Sequence, residues 1–281
     1  MTASDREPPS YRLGAYAEFD AGPELAPFVQ ALWIHAAAPS DPASAHRVVP
    51  DHALSVAFSC RRDERGRVSE PLLLLIGPVT WPRMAPREPG SEMVAVRFHP
   101  EWSQRLLDVS PGEHPNAVVD LAKVTHVVVP TLAEQLAESR SPIEALRMLR
   151  AAAVRSVERL RQPTGGDAAV VRAAEALRQS RGRLGVESLA RTLGFSSRHL
   201  RRSFTSSVGM SPKSVARTIR FHRVLAATDA MRRVDWADIA VRFGYSDQAH
   251  MIHEFTAFTG LTPAALHRER IAEESDSSNL S

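Results

Sequence analysis

The chain has 281 residues, 43% of them hydrophobic, which excludes a disordered or low-complexity polypeptide and leaves room for about two domains. A single cysteine, Cys60, excludes an internal disulfide and a cysteine-built zinc site, and fits a reducing, cytoplasmic setting. The net charge of +3 is unevenly spread: Ala168 to Arg270 holds 17 Lys or Arg against 8 Asp or Glu, a net of +9, and the remainder is net −6, so a polyanion is attracted by one half only.

In chain order, residues 1–10 are polar and Pro-containing and read as a loose end. No apolar run follows a basic start, so no signal peptide is expected, and the longest apolar run, Leu72 to Ile76, is too short to cross a bilayer. From Tyr11 to Val127, Pro and Gly cut the chain into short apolar runs. "HRVVPDHALSVAFSC", "PLLLLIGPV" and "SEMVAVRFHP" predict strands, with short helices near "PELAPFVQALW" and "PEWSQRLL". Residues 11–127 therefore form a β-rich domain. Residues 128–162 turn helical, with Ser141 and Pro142 as a cap and first-turn pair. Ile143, Leu146, Leu149, Ala153, Val157 and Leu160 make an apolar stripe there, which serves either a homodimer or the chain's own β domain. "PTGGD", residues 163–167, reads as a linker, and residues 271–281 as a disordered tail.

Residues 168–270 are helical throughout and carry one pattern twice. In "LARTLGFSSRHLRRSF", Leu189, Ala190 and Leu193 face inward, Gly194 turns the chain, and Ser196 or Ser197 caps the next helix. Leu200 and Phe204, four apart, share that helix's inner face and leave Arg198, Arg201 and Arg202 outside. In "WADIAVRFGYSDQAHMIHEF", Asp235 caps, Gly244 turns, and Ser246 or Asp247 caps again. Met251 and Phe255 point inward while Gln248, Ala249, His250 and His253 remain outside. Gly209 with Gly260, and Pro212 with Pro263, continue the correspondence. Between the copies, Ser211 and Pro212 open a helix whose apolar side is Val215, Ile219 and Leu225, and ~15 residues of it span roughly 22 Å. A helix, a tight glycine turn and a second helix with outward arginines is the helix-turn-helix arrangement.

Those residues, with Arg220, Tyr245, Thr262 and Arg268, make residues 167–270 resemble the DNA-binding domain of AraC-type transcriptional regulators. The resemblance implies two helix-turn-helix units joined by a long helix and bound to double-stranded DNA. It implies base contacts at Arg198, Arg201 and Arg202 on the first recognition helix, and at Gln248, Ala249, His250 and His253 on the second. Arginine suits guanine and glutamine suits adenine, while Arg201 or Arg202 could equally hold phosphate. His253 departs from the family, which usually has Arg there, so the first unit is expected to dominate affinity. "FVQALW", "VVPDHALSVAF", "LIGPV" and "VAVRFHP" resemble the N-terminal domain of one branch of these regulators, with His52 and Glu101 standing where the branch commonly has Gly.

The expected fold class is α+β: a β-rich N-terminal sensory domain with a helical linker, then an all-α domain of two helix-turn-helix units joined by a long helix. The expected partners are double-stranded DNA, a small-molecule effector of unknown identity and RNA polymerase, with a homodimer left open; activation is the family habit. No cofactor is expected. His46, Asp51, His52, His99 and Glu101 are of metal-ligating type, but no His-x-His pair with a following carboxylate occurs, so no metal is expected. Cys60 beside Arg61 and Arg62 is either a structural or a reactive thiol. Trp33, Phe58, Trp81, Phe98 and Trp102 serve either a core or an apolar pocket. No G-x-S-x-G, Walker or G-x-G-x-x-G motif occurs. The alternative from another class is a small β-barrel enzyme targeted to DNA by the helical half.

Overall fold

The computed structural model describes residues 11–13, 16–125, 130–160, 165–229 and 231–278. The loose end and residues 163–164 of the expected linker lie outside them. Among the described residues the β-rich part carries nine strands: β1 Tyr11–Leu13, β2 Tyr16–Phe19, β3 Val29–Ala36, β4 Ser44–Val48, β5 Leu54–Arg62, β6 Val68–Ile76, β7 Arg83–Arg87, β8 Ser91–Phe98 and β9 Val118–Asp120. Seven form one antiparallel sheet in the order β1-β2-β3-β8-β5-β6-β9, and β4 pairs with β7 as a separate ribbon.

Alternation along β3 sorts the two faces. Leu32 and Ile34 join the main core with Val56, Phe58, Val94 and Val96. Trp33 faces the other way with Ala57 and Ala95. His35 on β3 packs against His46 on β4 with the rings tilted and their centroids 4.3 Å apart, which lays the ribbon over that second face. The main core is closed by α1 (Pro100–Leu107), α2 (Pro130–Ala137) and α3 (Pro142–Glu158). On α3 the expected Ser141 cap forms, accepting from the Glu144 amide at 3.2 Å. Leu146, Leu149 and Ala153 are buried in the main core, and Val157 and Leu160 pack against it. The apolar stripe is thus used within the chain. The aromatic residues divide likewise: Trp33, Phe58, Phe98 and Trp102 are buried, and Trp81 is exposed.

The expected helix near "PELAPFVQALW" does not form. A hydrogen-bonded turn from Gly22 leads directly into β3, with Val29 N donating to Leu25 O at 2.8 Å. Pro27 stops helical propagation, and pairing with β8 recruits the apolar run as a strand. Cys60 is buried. Burial and then the Glu92 carboxylate push its thiol up to about 12 against the opposing charge of Arg62, which Glu92 takes in a bidentate pair of 2.6 and 2.9 Å.

The helical half comprises α4 (Gly165–Gln179), α5 (Val186–Thr192), α6 (Ser197–Val208), α7 (Pro212–Thr228), α8 (Trp236–Arg242), α9 (Gln248–Thr259) and α10 (Pro263–Ser278). Helix α4 takes up Gly165 to Asp167 of the expected linker, with Asp167 in its first turn, where a carboxylate suits the helix dipole. Helix α10 likewise runs to Ser278 through most of the expected tail. Extending an anchored helix needs no new nucleation, and Ala272, Glu273 and Glu274 are good helix formers. Residues 279–281 lie outside the described residues.

Candidate nucleic-acid interface

Each unit is built by local chemistry that the sequence encodes. Gly194 and Gly244 sit at φ of +75° and +82°, the left-handed conformation that lets the chain reverse between α5 and α6 and between α8 and α9. Ser196 caps α6 by accepting from His199 N at 3.2 Å, and Asp247 caps α9 by accepting from His250 N at 2.7 Å. Asp235 caps α8 through the amides of Ala237 and Asp238.

The units have separate cores. Leu189, Leu200, Phe204 and Val208 anchor the first. Ile239, Met251, Phe255 and Phe258 anchor the second around Phe221 of α7. Because α7 serves both, its buried residues include Ala216, Phe221 and Val224 besides Leu225, while Val215 and Ile219 are half-buried. At 17 residues it is roughly 25 Å long, short of one DNA turn at about 34 Å.

The recognition faces differ as their sequences do. Arg198, Arg201 and Arg202 are all exposed on α6. Arg201 meets Glu187 at 3.2 Å, with both side chains more than half exposed. Such a pair contributes little and yields readily to a phosphate or base. On α9, Gln248, Ala249 and His253 are exposed. His250 is half-buried: its Nδ1 lies 3.1 Å from Ser246 Oγ, its Nε2 lies 3.4 Å from Glu254, and its ring meets Tyr245 edge-on. It is occupied within the protein, although the helical wheel points it outward.

Glu254 is the residue that sequence reasoning missed. Its side chain is 6% exposed and pairs with Arg217 at 2.6 Å and Arg220 at 3.6 Å, both on α7. The second recognition helix is thereby tied to the bridging helix by a buried charge. The available signal was a glutamate between Met251 and Phe255 on an otherwise apolar helix face.

Residues 189–269 match a family described as a helix-turn-helix domain. The C-terminal domain is an AraC-type helix-turn-helix domain. Residues 17–120, ahead of this AraC-type domain, match a domain of unknown function, DUF6597. No curated protein matches the chain. Two solved structures of ToxT from Vibrio cholerae resemble it at 9% and 8% identity, one in a P21 form and one with unsaturated fatty acid bound. They cover 81% and 80% of this chain and 97% and 94% of theirs, with TM-scores of 0.41 and 0.42. Among the described residues no helix is long and apolar enough to cross a membrane, and no three His, Cys, Asp or Glu side chains converge on a metal site.

The seam between the β-rich part and the AraC-type domain carries histidines that the fold keeps neutral. Burial holds His99 at about 3, helped by Arg178, and His52 at about 4. Burial also lowers His222, whose Nε2 lies 2.8 Å from Pro50 O. Unfolded histidines titrate near 6.5, so the stability this neutrality provides is complete above that pH and is lost as pH falls toward the folded values. His99 and His52 are each expected to cost ~1.4 kcal/mol per pH unit as pH falls from about 6.5 toward their folded values. The thermal midpoint of the DNA-free protein should therefore drop clearly between pH 7 and pH 5. A midpoint that stays constant across that range would show these rings accept protons in the folded state.

Proposed function

We propose that the protein is a sequence-specific regulator of transcription that binds double-stranded DNA through two tandem, unlike helix-turn-helix units. The observation that carries this is the exposed trio Arg198, Arg201 and Arg202 on a recognition helix whose turn, cap and inner face are all built for that role. Gln248, Ala249 and His253 of α9 are the second reading set, and His250 supports it from the side. Because the two sets differ, one subunit reads an asymmetric site. The first unit supplies most of the affinity, since its face is cationic and that of the second is nearly neutral. The β-rich domain is the regulatory part, responding to a small-molecule effector or a second subunit. RNA polymerase is the partner through which the bound protein acts as an activator. The reading assigns no catalytic residue.

Selection from a random duplex pool with the full chain, followed by salt titration of the winner, tests it. The expected winner has two unlike blocks about one helical turn apart, with affinity falling steeply as salt rises. Binding without enrichment would reduce the protein to a nonspecific polyanion binder. No binding at low salt would overturn the reading and leave the arginines as solvated surface charge.

A further inference from the structure

We infer that the β-rich domain sets the separation of the two DNA-reading helices by gripping each at its C-terminal end. The inference rests on the DNA-binding reading above. At the first unit, Gly209 ends α6 in the left-handed conformation and packs backbone to backbone against Pro111 and Gly112 of the β-rich domain, where a side chain would have no room. Helix α4 of the same unit is held by Arg178, which pairs with Glu101, a carboxylate whose side chain is fully buried. Arg105 also reaches Asp167 at 3.4 Å.

At the second unit the grip is made by β4 and the loop after it. Arg47 donates to the carbonyl of Thr259, the last residue of α9, at 3.2 Å, and holds Glu269 of α10 with two bonds of 2.7 and 3.0 Å. His52 packs edge-on against Phe258, and Val49 packs against the second unit's core. His52 has φ of +53°, a left-handed backbone that favours glycine, so a strained residue is kept where it touches the reader. His52 and Glu101 are both seam contacts.

A recognition helix presents its N-terminal part to the groove. Arg198, Arg201, Arg202, Gln248 and Ala249 all lie toward that end, so gripping the opposite ends leaves the reading faces free. Within the helical half, the units are joined by α7 and by Arg183, which follows α4 and donates to the carbonyl of Arg242 at the end of α8, and one helix bends over its length. A further bridge through the β-rich domain closes a triangle and removes that softness. The two grips stand on different parts of that domain: α1 and the 111–113 turn for the first, the two-stranded ribbon for the second. Whatever displaces the ribbon from the sheet displaces the second reader relative to the first.

The test uses the full chain and the selected two-block site, with the spacer between blocks varied one base pair at a time. Wild-type protein is expected to show one sharp optimum. Arg47→Ala and Glu101→Gln are each expected to lower affinity at that optimum about tenfold and flatten the spacing profile, because preorganisation is lost. The exchange Arg47→Glu with Glu269→Arg is expected to restore the ion pair and part of the sharpness but not the bond to the Thr259 carbonyl, which only a donor makes, a partial rescue that a mere folding defect would not give. Equal loss at every spacing, an unchanged profile, or tighter binding with the optimum retained would each overturn the inference. A wild-type protein that enriches no two-block site would overturn the DNA-reading proposal itself, and is seen before any variant is measured.

Discussion

Replacing Arg198, Arg201 and Arg202 together with alanine is expected to weaken binding to the selected site by about two to four orders of magnitude. A bidentate arginine–guanine contact contributes ~1–3 kcal/mol of discrimination, so three such contacts would sum to about 3–9 kcal/mol, and the phosphate role open to Arg201 or Arg202 places the expected loss in the lower half of that range. The fold should not register the change. All three side chains are exposed, and the Arg201–Glu187 pair is too solvated to matter, so stability should move by no more than about 0.5 kcal/mol. Fluorescence anisotropy across a salt series separates the roles of the three. A single variant that lowers the salt slope by about one, with sequence preference kept, has lost a phosphate contact; one that relaxes a base position has lost a reading contact. Retained affinity in the triple variant would make α6 an ordinary solvated helix and move the interface elsewhere.

Phe221→Ala is expected to cost about 3–5 kcal/mol, a large part of the stability of a unit this small. Phe221 is fully buried on α7, with ring centroids 4.9 Å from both Phe255 and Phe258. It belongs to the second unit's core and not the first's. Hydrogen exchange should therefore accelerate across α8 to α10 while α5 and α6 keep their protection. The variant should bind DNA as a one-unit protein, with weaker affinity and only one block of the site read. Equal acceleration in both units would mean that α7 and the β-rich domain merge the two cores into one cooperative body.

The features legible in the sequence were those governed by residues close together in it. Gly194 and Gly244 announce tight turns, and Ser196 or Ser197, Asp235, and Ser246 or Asp247 announce caps, because each acts on amides within a few residues; the structure selects Ser196 and Asp247. Leu200 with Phe204 and Met251 with Phe255 show inner faces through the four-residue period, and this left the arginines of α6 outside by subtraction. Strands β5, β6 and β8 were readable from short apolar runs between turn residues. The run at Val29–Ala36 was misleading, because its apolar content fits helix or strand until β8 supplies a partner. His250 was assigned by its place on the wheel, which does not reveal that Ser246 and Glu254 hold it. Helix α10 outran its polar composition because an anchored helix extends cheaply.

By itself, then, the sequence determined two helix-turn-helix units, the outward faces of their second helices and a β-rich partner, since periodicity, caps and glycine turns are local physics. Tertiary structure alone decided what the two halves do to each other. Arg47 and Glu269 stand 222 residues apart, Arg178 and Glu101 stand 77 apart, and no local pattern pairs them. Such contacts form only where the completed fold brings their charges together and removes water from around them.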